Sequence, residues 1–371
     1  DPCGHPLRMT GLWRLVGALL AGVLGAGAGW ANPYYNPDKP HHTPTGFRNN
    51  HIGTVNKPLG DLLRWRYEAI RDGLPKPPGS PTPVVAPDLA AIQANARAGA
   101  AMVPAVTWIG HATALVQASG LNVLTDPIFS ERASPVQIVG PKRAQPPGVP
   151  LADLPHIDVV VVSHNHYDHL DRQSVVDLNH RSQGATLFLV PLGLKPWLEN
   201  LGITHVVELD WWERHRHRGV DFYLTPVQHW SARSLGDRSQ TLWGGWAAFG
   251  PGFSWYLSGD TGYSPDFAET RRFLDSRHPQ GLDLALIAVG AYEPRWFMKE
   301  QHVNPLEAVR IHQDLGARRS IGVHWGTFEL TDEPLDQPPR DLAAARQALG
   351  VPDDDFVLLK IGETRRLPQR Q

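Results

Sequence analysis

Within one hexapeptide, His164-Asn165-His166-Tyr167-Asp168-His169, the chain gathers three imidazoles and a carboxylate. Each of these groups needs a partner once buried, so a folding requirement alone rarely concentrates them. Divalent-metal coordination accounts for all four. His164 and His166, two residues apart in an extended segment, project to the same side and can share one ion. Asp168 and His169 then turn toward a second ion, at the short spacing that two-metal hydrolytic sites use. Cys3 is the single cysteine, which excludes an intrachain disulfide and a thiolate metal site. Nitrogen and oxygen must supply the ligands.

The element that has to carry this cluster lies just before it. Ile157-Asp158-Val159-Val160-Val161-Val162 is short, β-branched and nearly continuous, which predicts a strand buried on both faces. Three further candidates end predicted strands in the same way. His229 follows Tyr223 to Gln228, Asp260 sits in Ser258-Gly259-Asp260-Thr261-Gly262, and His324 follows Ser320 to Val323. The small neighbours of Asp260 let the backbone come close to an ion. Other strands are expected at Val106–Gly110, Ala114–Gln117, Asn122–Pro127, Thr186–Val190, Val206–Leu209, Asp221–Thr225, Phe253–Leu257 and Leu284–Val289. The clearest helix is Pro305–Leu315, with Asn304 as its cap, Pro305 first, Glu307 third and Gly316 as its stop. Many strands with a few crossing helices imply an α/β chain, with two mixed sheets sandwiched between helices.

The 371 residues allow one large domain with extras. A formal charge of −2 gives no electrostatic footprint for nucleic acid. Histidine occurs 18 times, which suits metal chemistry. Tryptophan occurs 13 times, Trp211, Trp212, Trp230, Trp243 and Trp246 among them, which suits either a lipid-contacting surface or ordinary packing. Residues 1–31 read as a signal-peptide-like segment, with Met9 as the expected start, Arg14 ahead of the apolar run Leu15–Leu24, and small residues at Gly29 and Ala31. The chain is therefore expected to be exported, periplasmic or membrane-associated. An uncleaved anchor is the alternative. Residues 32–103 form an N-terminal arm and a Pro-rich connector. His41, His42 and His51 on that arm read as solvated, and Leu59–Asp72 reads as a short amphipathic helix. Residues 104–371 make up the catalytic domain.

Several stretches resemble the metallo-β-lactamase-fold hydrolases. They are Thr107-Trp108-Ile109-Gly110-His111-Ala112-Thr113, Thr125-Asp126-Pro127-Ile128-Phe129, the His-rich hexapeptide and Gly259-Asp260-Thr261-Gly262. Others are similar to one branch of that superfamily, the N-acylphosphatidylethanolamine-hydrolysing phospholipases D. These are Gly140-Pro141-Lys142-Arg143, Glu208-Leu209-Asp210-Trp211-Trp212, the run from Gly290 to Lys299, Gln301-His302-Val303 and His324-Trp325-Gly326-Thr327-Phe328. The resemblance covers roughly Pro104 to Glu363 and implies an αββα sandwich holding two zinc ions. His164, His166 and His229 would hold one ion and Asp168, His169 and His324 the other, with Asp260 as the bridge. Tyr167, His302 and Gln137 match substrate-contacting positions. Ile138 stands where the mammalian enzymes have Tyr, and Ala232-Arg233 keeps only the Arg of their bile-acid pair.

The activity this implies is hydrolysis of N-acylphosphatidylethanolamine-type phospholipids to N-acylethanolamine and phosphatidate, by attack of a metal-bridging hydroxide on phosphorus. Asp168 and Asp260 count as catalytic through the ions they hold, and iron or manganese could replace zinc on the same ligands. His302 is the candidate for orienting the phosphate or the amide. His111 and Asp126 are expected to hold ligand imidazoles in the right tautomer, although Asp126 before Pro127 also suits a turn. The expected partners are the phospholipid and a membrane surface, with a homodimer as a candidate assembly. Rival readings are a carboxyl-ester or lactone hydrolase on the same centre, a metal-dependent nuclease, and a non-catalytic metal-binding envelope protein.

Overall fold

The computed structural model describes residues 30–370, so the signal-like segment falls, up to residue 29, outside the described residues. Two seven-stranded mixed sheets face each other. Across one sheet the strands run Thr364–Arg366, Ala105–Gly110, Thr113–Ala118, Leu121–Thr125, Val159–Val161, Leu187–Pro191 and Val206–Leu209. Across the other they run Phe356–Val357, Arg319–Val323, Leu284–Ala288, Phe253–Leu257, Gly245–Gly250, Val220–Thr225 and Arg214–His217. With helices on the outer faces, this is the α/β sandwich the sequence predicts.

The period-2 geometry of a strand explains why the valine run is continuous. Val159 and Val161 point into the core between the sheets, with Trp108, Leu187, Leu189 and Trp246. Val160 and Val162 point the other way, into a second core beneath the helices Leu89–Ala96, Arg172–Arg181 and Lys195–Glu199, with Ile92, Val175 and Leu198. Of the tryptophans singled out above, Trp211, Trp230, Trp243 and Trp246 are buried, which decides for packing at those four.

The helix Pro305–Leu315 forms as its cap residues require. Asn304 accepts from the Glu307 amide, Glu307 answers with a bond to the Asn304 amide, and Gly316 closes the helix with φ 64°. Four strands of the two large sheets escaped prediction, the short Phe356–Val357 and Thr364–Arg366 among them. Arg214–His217 is an edge strand of alternating cations and imidazoles, and Gly245–Gly250 is built largely from Gly and Ala; neither has an apolar alternation to read.

The arm does not hang in solvent. A short hairpin, His42–Thr43 with Gly46–Phe47, lies against the second sheet's loops. His41 and His42, expected to be solvated, are buried and converge with Lys39 on the Asp210 carboxylate, at 2.6, 2.8 and 2.6 Å. The expectation failed because the Asp210 partner is about 170 residues away in sequence. His51 lies 3.5 Å from Asp266 and 3.4 Å from Glu269. The helix Leu59–Asp72 forms as predicted and buries Leu62 and Trp65 against Phe297 and Met298.

Candidate metal centre

Every candidate ligand sits on a loop that leaves the carboxyl end of a strand, where an open α/β sheet commonly binds its ligands. His164 follows Val159–Val161, His229 follows Val220–Thr225, Asp260 follows Phe253–Leu257, and His324 follows Arg319–Val323. Tight backbone geometry at these exits brings the loops together. His324 adopts φ 62°, His111 φ 52° and Asp126 φ 34°, a left-handed region that is costly for residues with a Cβ and gathers at functional sites. Gly259, at φ 59°, leaves room for Ser163, whose Cβ would stand 2.6 Å from any Cβ added there.

All seven predicted ligands are brought together in two adjoining groups. His164, His166, His229 and Asp260 form one; Asp168, His169 and His324 form the other, with His111 beside them. Asp260 reaches both. Its Oδ2 lies 3.1 Å from His169 Nε2, 3.7 Å from His164 Nε2 and 3.8 Å from His229 Nε2, and its Oδ1 lies 3.1 Å from His324 Nε2. Asp168 Oδ2 lies 3.2 Å from His169 Nε2 and 3.3 Å from His324 Nε2.

The donor set fits metal ions on three grounds. His229 Nδ1 donates to the Gln301 carbonyl at 2.9 Å, and His169 Nδ1 to Asp126 at 2.7 Å. His164 Nδ1 donates to Ser163 Oγ at 2.9 Å, since that hydroxyl spends its own proton on Asp126. Each ring therefore presents its Nε2 lone pair inward. Second, Nε2 of His164, His169 and His324 and Oδ1 of Asp260 are buried without a hydrogen-bond partner, a costly condition that an ion relieves. Third, His166 Nδ1 and His229 Nε2 stand 3.3 Å apart. Two bonds of about 2.0–2.1 Å meeting at a tetrahedral angle place their nitrogens about 3.4 Å apart.

Electrostatics point the same way. Burial, with the neighbouring imidazoles, holds His164 well below the usual histidine range, and burial pushes His166 and His229 down to about 3. Burial also opposes charge on Asp168 and Asp260, yet His169 and its neighbours keep both well below the usual carboxylate range. His169 is correspondingly raised, and His324 is raised to about 9, because the carboxylates outweigh the burial of both rings. Three imidazoles held neutral, beside carboxylates that draw positive charge onto His169 and His324, make a buried site that calls for positive charge, which a divalent cation supplies.

The supporting residues differ from expectation in one case. Asp126 does hold an imidazole, that of His169, and also accepts from Ser163 N and Oγ at 2.7 Å each. His111 instead places its Nε2 2.8 Å from the Asp168 carboxylate, so it steadies an oxygen ligand and not a ring.

The substrate candidates separate. His302 belongs at the centre: its Nδ1 lies 4.0 Å from Asp260 Oδ2, its side chain is 15% exposed, and burial pushes it down to about 3. Tyr167 lies at the rim, its hydroxyl bonded to the Arg233 carbonyl at 2.7 Å and its ring beneath the Arg233 guanidinium. Gln137 is not brought in. It is exposed, and its amide is spent on the Arg132 backbone at 2.9 and 3.1 Å, closing a local turn that sequence spacing could not reveal. Arg233 grips the ligand loop through the carbonyls of Asn165 and Leu170.

Asn49 and Gln301 were missed. Gln301 acts through its backbone carbonyl, which leaves no trace in residue type. Asn49 lies on the arm, 180 residues from the His229 it touches.

Residues 121–325 match the Beta-lactamase superfamily domain, more than half of the chain. The chain is 42% identical to N-acyl-phosphatidylethanolamine-hydrolyzing phospholipase D 1 of Caenorhabditis elegans, over 69% of this chain and 74% of that one. An uncharacterized protein of Mycobacterium tuberculosis is 41% identical over 73% of this chain and 69% of its own. Among solved structures, the isothiocyanate hydrolase from Delia radicum gut bacteria superposes with a TM-score of 0.55 at 19% identity, covering 71% of this chain and 99% of its own, which is a likeness of fold. The sequence match to the worm enzyme, carried on this fold and donor set, identifies the chain as a metal-dependent hydrolase of the N-acyl-phosphatidylethanolamine-hydrolysing phospholipase D family within the metallo-β-lactamase-fold superfamily.

Proposed function

We propose that this protein is a dinuclear phosphodiesterase that hydrolyses N-acylphosphatidylethanolamine-type phospholipids. Water is consumed, and the bond between phosphorus and the ethanolamine oxygen is broken, giving phosphatidate and an N-acylethanolamine. The observation that carries this reading is Asp260, a buried carboxylate within 3.1–3.8 Å of imidazoles from both ligand groups. His164, His166 and His229 would hold one zinc ion and Asp168, His169 and His324 the other, with Asp260 between them. Two such cations, when bound, lower the pKa of a shared water toward neutrality and offset charge on phosphoryl oxygens. Nitrogen and carboxylate ligands suit zinc, and iron or manganese are alternatives on the same set.

The chain's own residues position and shield. Burial keeps the His302 ring neutral, so it offers one N–H donor to a phosphoryl or amide oxygen beside Asp260. The Arg233 guanidinium covers the Tyr167 ring and clamps the ligand loop, which fixes the rim of the site. Asp126 and Gln301 hold the His169 and His229 tautomers.

A membrane surface is the proposed source of substrate. Leu59, Leu63, Tyr67 and Ile70 fall on one face of the helix Leu59–Asp72 and are all exposed, as is Trp296, which the Arg64 guanidinium of that helix covers. That helix packs on Phe297 and Met298, and the Met298 carbonyl accepts from the His302 amide, so the apolar stripe adjoins the segment carrying His302. An interfacial helix of this kind rests at the headgroup boundary; Leu63→Ser with Tyr67→Ser should reduce co-flotation with phospholipid vesicles, and unchanged flotation would reject the surface. We also propose export, from the Arg14-led apolar run, which N-terminal sequencing beginning at Met9 would refute.

Hydrolysis in oxygen-18 water, followed by phosphorus NMR, tests the reaction. Label in the phosphatidate phosphate is expected; label in the N-acylethanolamine hydroxyl contradicts attack at phosphorus. Turnover of lactones or carboxyl esters in place of the phospholipid would favour the rival hydrolase.

A further inference from the structure

The backbone of His229, like that of the other ligands, has left its sheet before it reaches the site. Its strand ends at Thr225, and the preceding Gln228 is held by an isolated bridge to Gly262, by the Thr261 hydroxyl and by the Glu300 carbonyl. What holds the His229 peptide comes from outside the catalytic domain. Asn49 Nδ2 donates to the His229 carbonyl at 2.9 Å, and the His229 amide donates to Asn49 Oδ1 at 2.9 Å. The side-chain amide thus imitates a neighbouring strand. Its orientation is fixed, because the His229 amide only donates and its carbonyl only accepts, and Oδ1 also accepts from Trp243 Nε1 at 3.1 Å, an indole shared with the Val227 carbonyl. Asn49 is itself buried, and its amide donates to the Gly53 carbonyl at 2.7 Å.

The surrounding arm reinforces the same loop. The Phe47 amide donates to the Ser239 carbonyl at 2.8 Å, and Arg238 Nη2 donates to the Val55 carbonyl at 2.6 Å while its guanidinium covers Trp230, the residue after His229. At its outer end the arm is clasped by Lys39, His41 and His42 on Asp210.

We infer that Asn49 is a positioning residue for the metal centre: it fixes the His229 backbone, so the N-terminal arm completes the ion site of His164, His166 and His229 and leaves the other site to the sheets. This inference rests on the two-ion reading proposed above.

The test is zinc binding by the metal-free full-length chain, in competition with a chromophoric chelator that resolves two dissociation constants. Asn49→Asp keeps the acceptor toward the His229 amide but loses the donor toward its carbonyl. It is expected to weaken one constant about tenfold to a hundredfold, the range for groups that orient a ligand, and to leave the other unchanged. His111→Phe is the mirror variant and should weaken the other constant through Asp168, which loses its 2.8 Å contact with the His111 ring. A merely structural role for Asn49 would lower the melting temperature without separating the two constants. Should Asn49→Asp fail to fold, Asp210→Asn loosens the arm from its far end and should weaken the same constant. A wild-type chain that binds two ions, with a folded variant showing both constants unchanged, overturns the inference alone. A wild-type chain that binds no zinc overturns the metal centre and this inference with it.

Discussion

The two halves of the candidate centre are built by different parts of the molecule. The half around Asp168, His169 and His324 is supported from the sandwich itself: Asp126 and His111 stand at the exits of core strands, fully buried, and hold His169 and Asp168. The half around His164, His166 and His229 shares Asp126 through Ser163 at His164, but at His229 it draws on the Gln301 carbonyl and on Asn49 of the arm. The first half thus rests on the sandwich, while the second also leans on a segment outside it, docked by polar contacts and by Phe47 in the core. A region with fewer core contacts opens locally at lower free energy. Under this account the arm-supported ion is the one more readily lost.

Removing what the halves share should have the largest effect. Asp260→Ala is expected to lower kcat by about 10²–10³-fold or more, since both ligand groups lose an anionic partner; steady-state turnover of a vesicle-borne N-acylated phospholipid measures it. An effect confined to one ion's affinity would show that Asp260 serves one half only.

Asp126→Asn sharpens the comparison at an intermediate scale. The carboxylate accepts three hydrogen bonds of 2.7 Å in a fully buried position. Its loss should cost about 1–3 kcal/mol of stability in addition to metal affinity, which chemical denaturation of the metal-free protein reads directly. Stability equal to wild type would mean the core-supported half is not so firmly built.

The smallest effect is expected from acid on the arm. Burial opposes the charge of Asp210, but hydrogen bonds from His41 and Lys39 outweigh it and hold the carboxyl well below the usual range. A depressed carboxylate contributes stability that is complete above its unfolded pKa, about 3.9, and is lost as pH falls toward the folded value. Cleavage of the arm by pepsin should therefore rise progressively below about pH 4, before the sandwich unfolds, and Asp210→Asn should show the same susceptibility at higher pH. Simultaneous loss of arm and core in wild type would erase the distinction between the halves.

The same contrast governs what could be read in advance. The ligands of both halves are written locally: a strand of valines, then histidines and an aspartate, sets a pattern that His229, Asp260 and His324 echo at other strand ends. Such patterns survive because period and position are both visible in one dimension. The arm carries no such signal. His41, His42 and Asn49 sit among prolines and polar residues, and only the fold brings Asp210 and His229 to them. His111 was legible as a supporting residue but not its partner, since Asp168 lies on another loop, 57 residues away. Gln137 shows the reverse hazard: a position matched by resemblance is used here to close a turn with Arg132.

The central claim is most directly tested by anomalous X-ray diffraction at the zinc edge from crystals of the metal-loaded protein. The account predicts two peaks, one among His164, His166 and His229 and one among Asp168, His169 and His324, with Asp260 touching both. A single peak, or zinc bound away from Asp260, would contradict it.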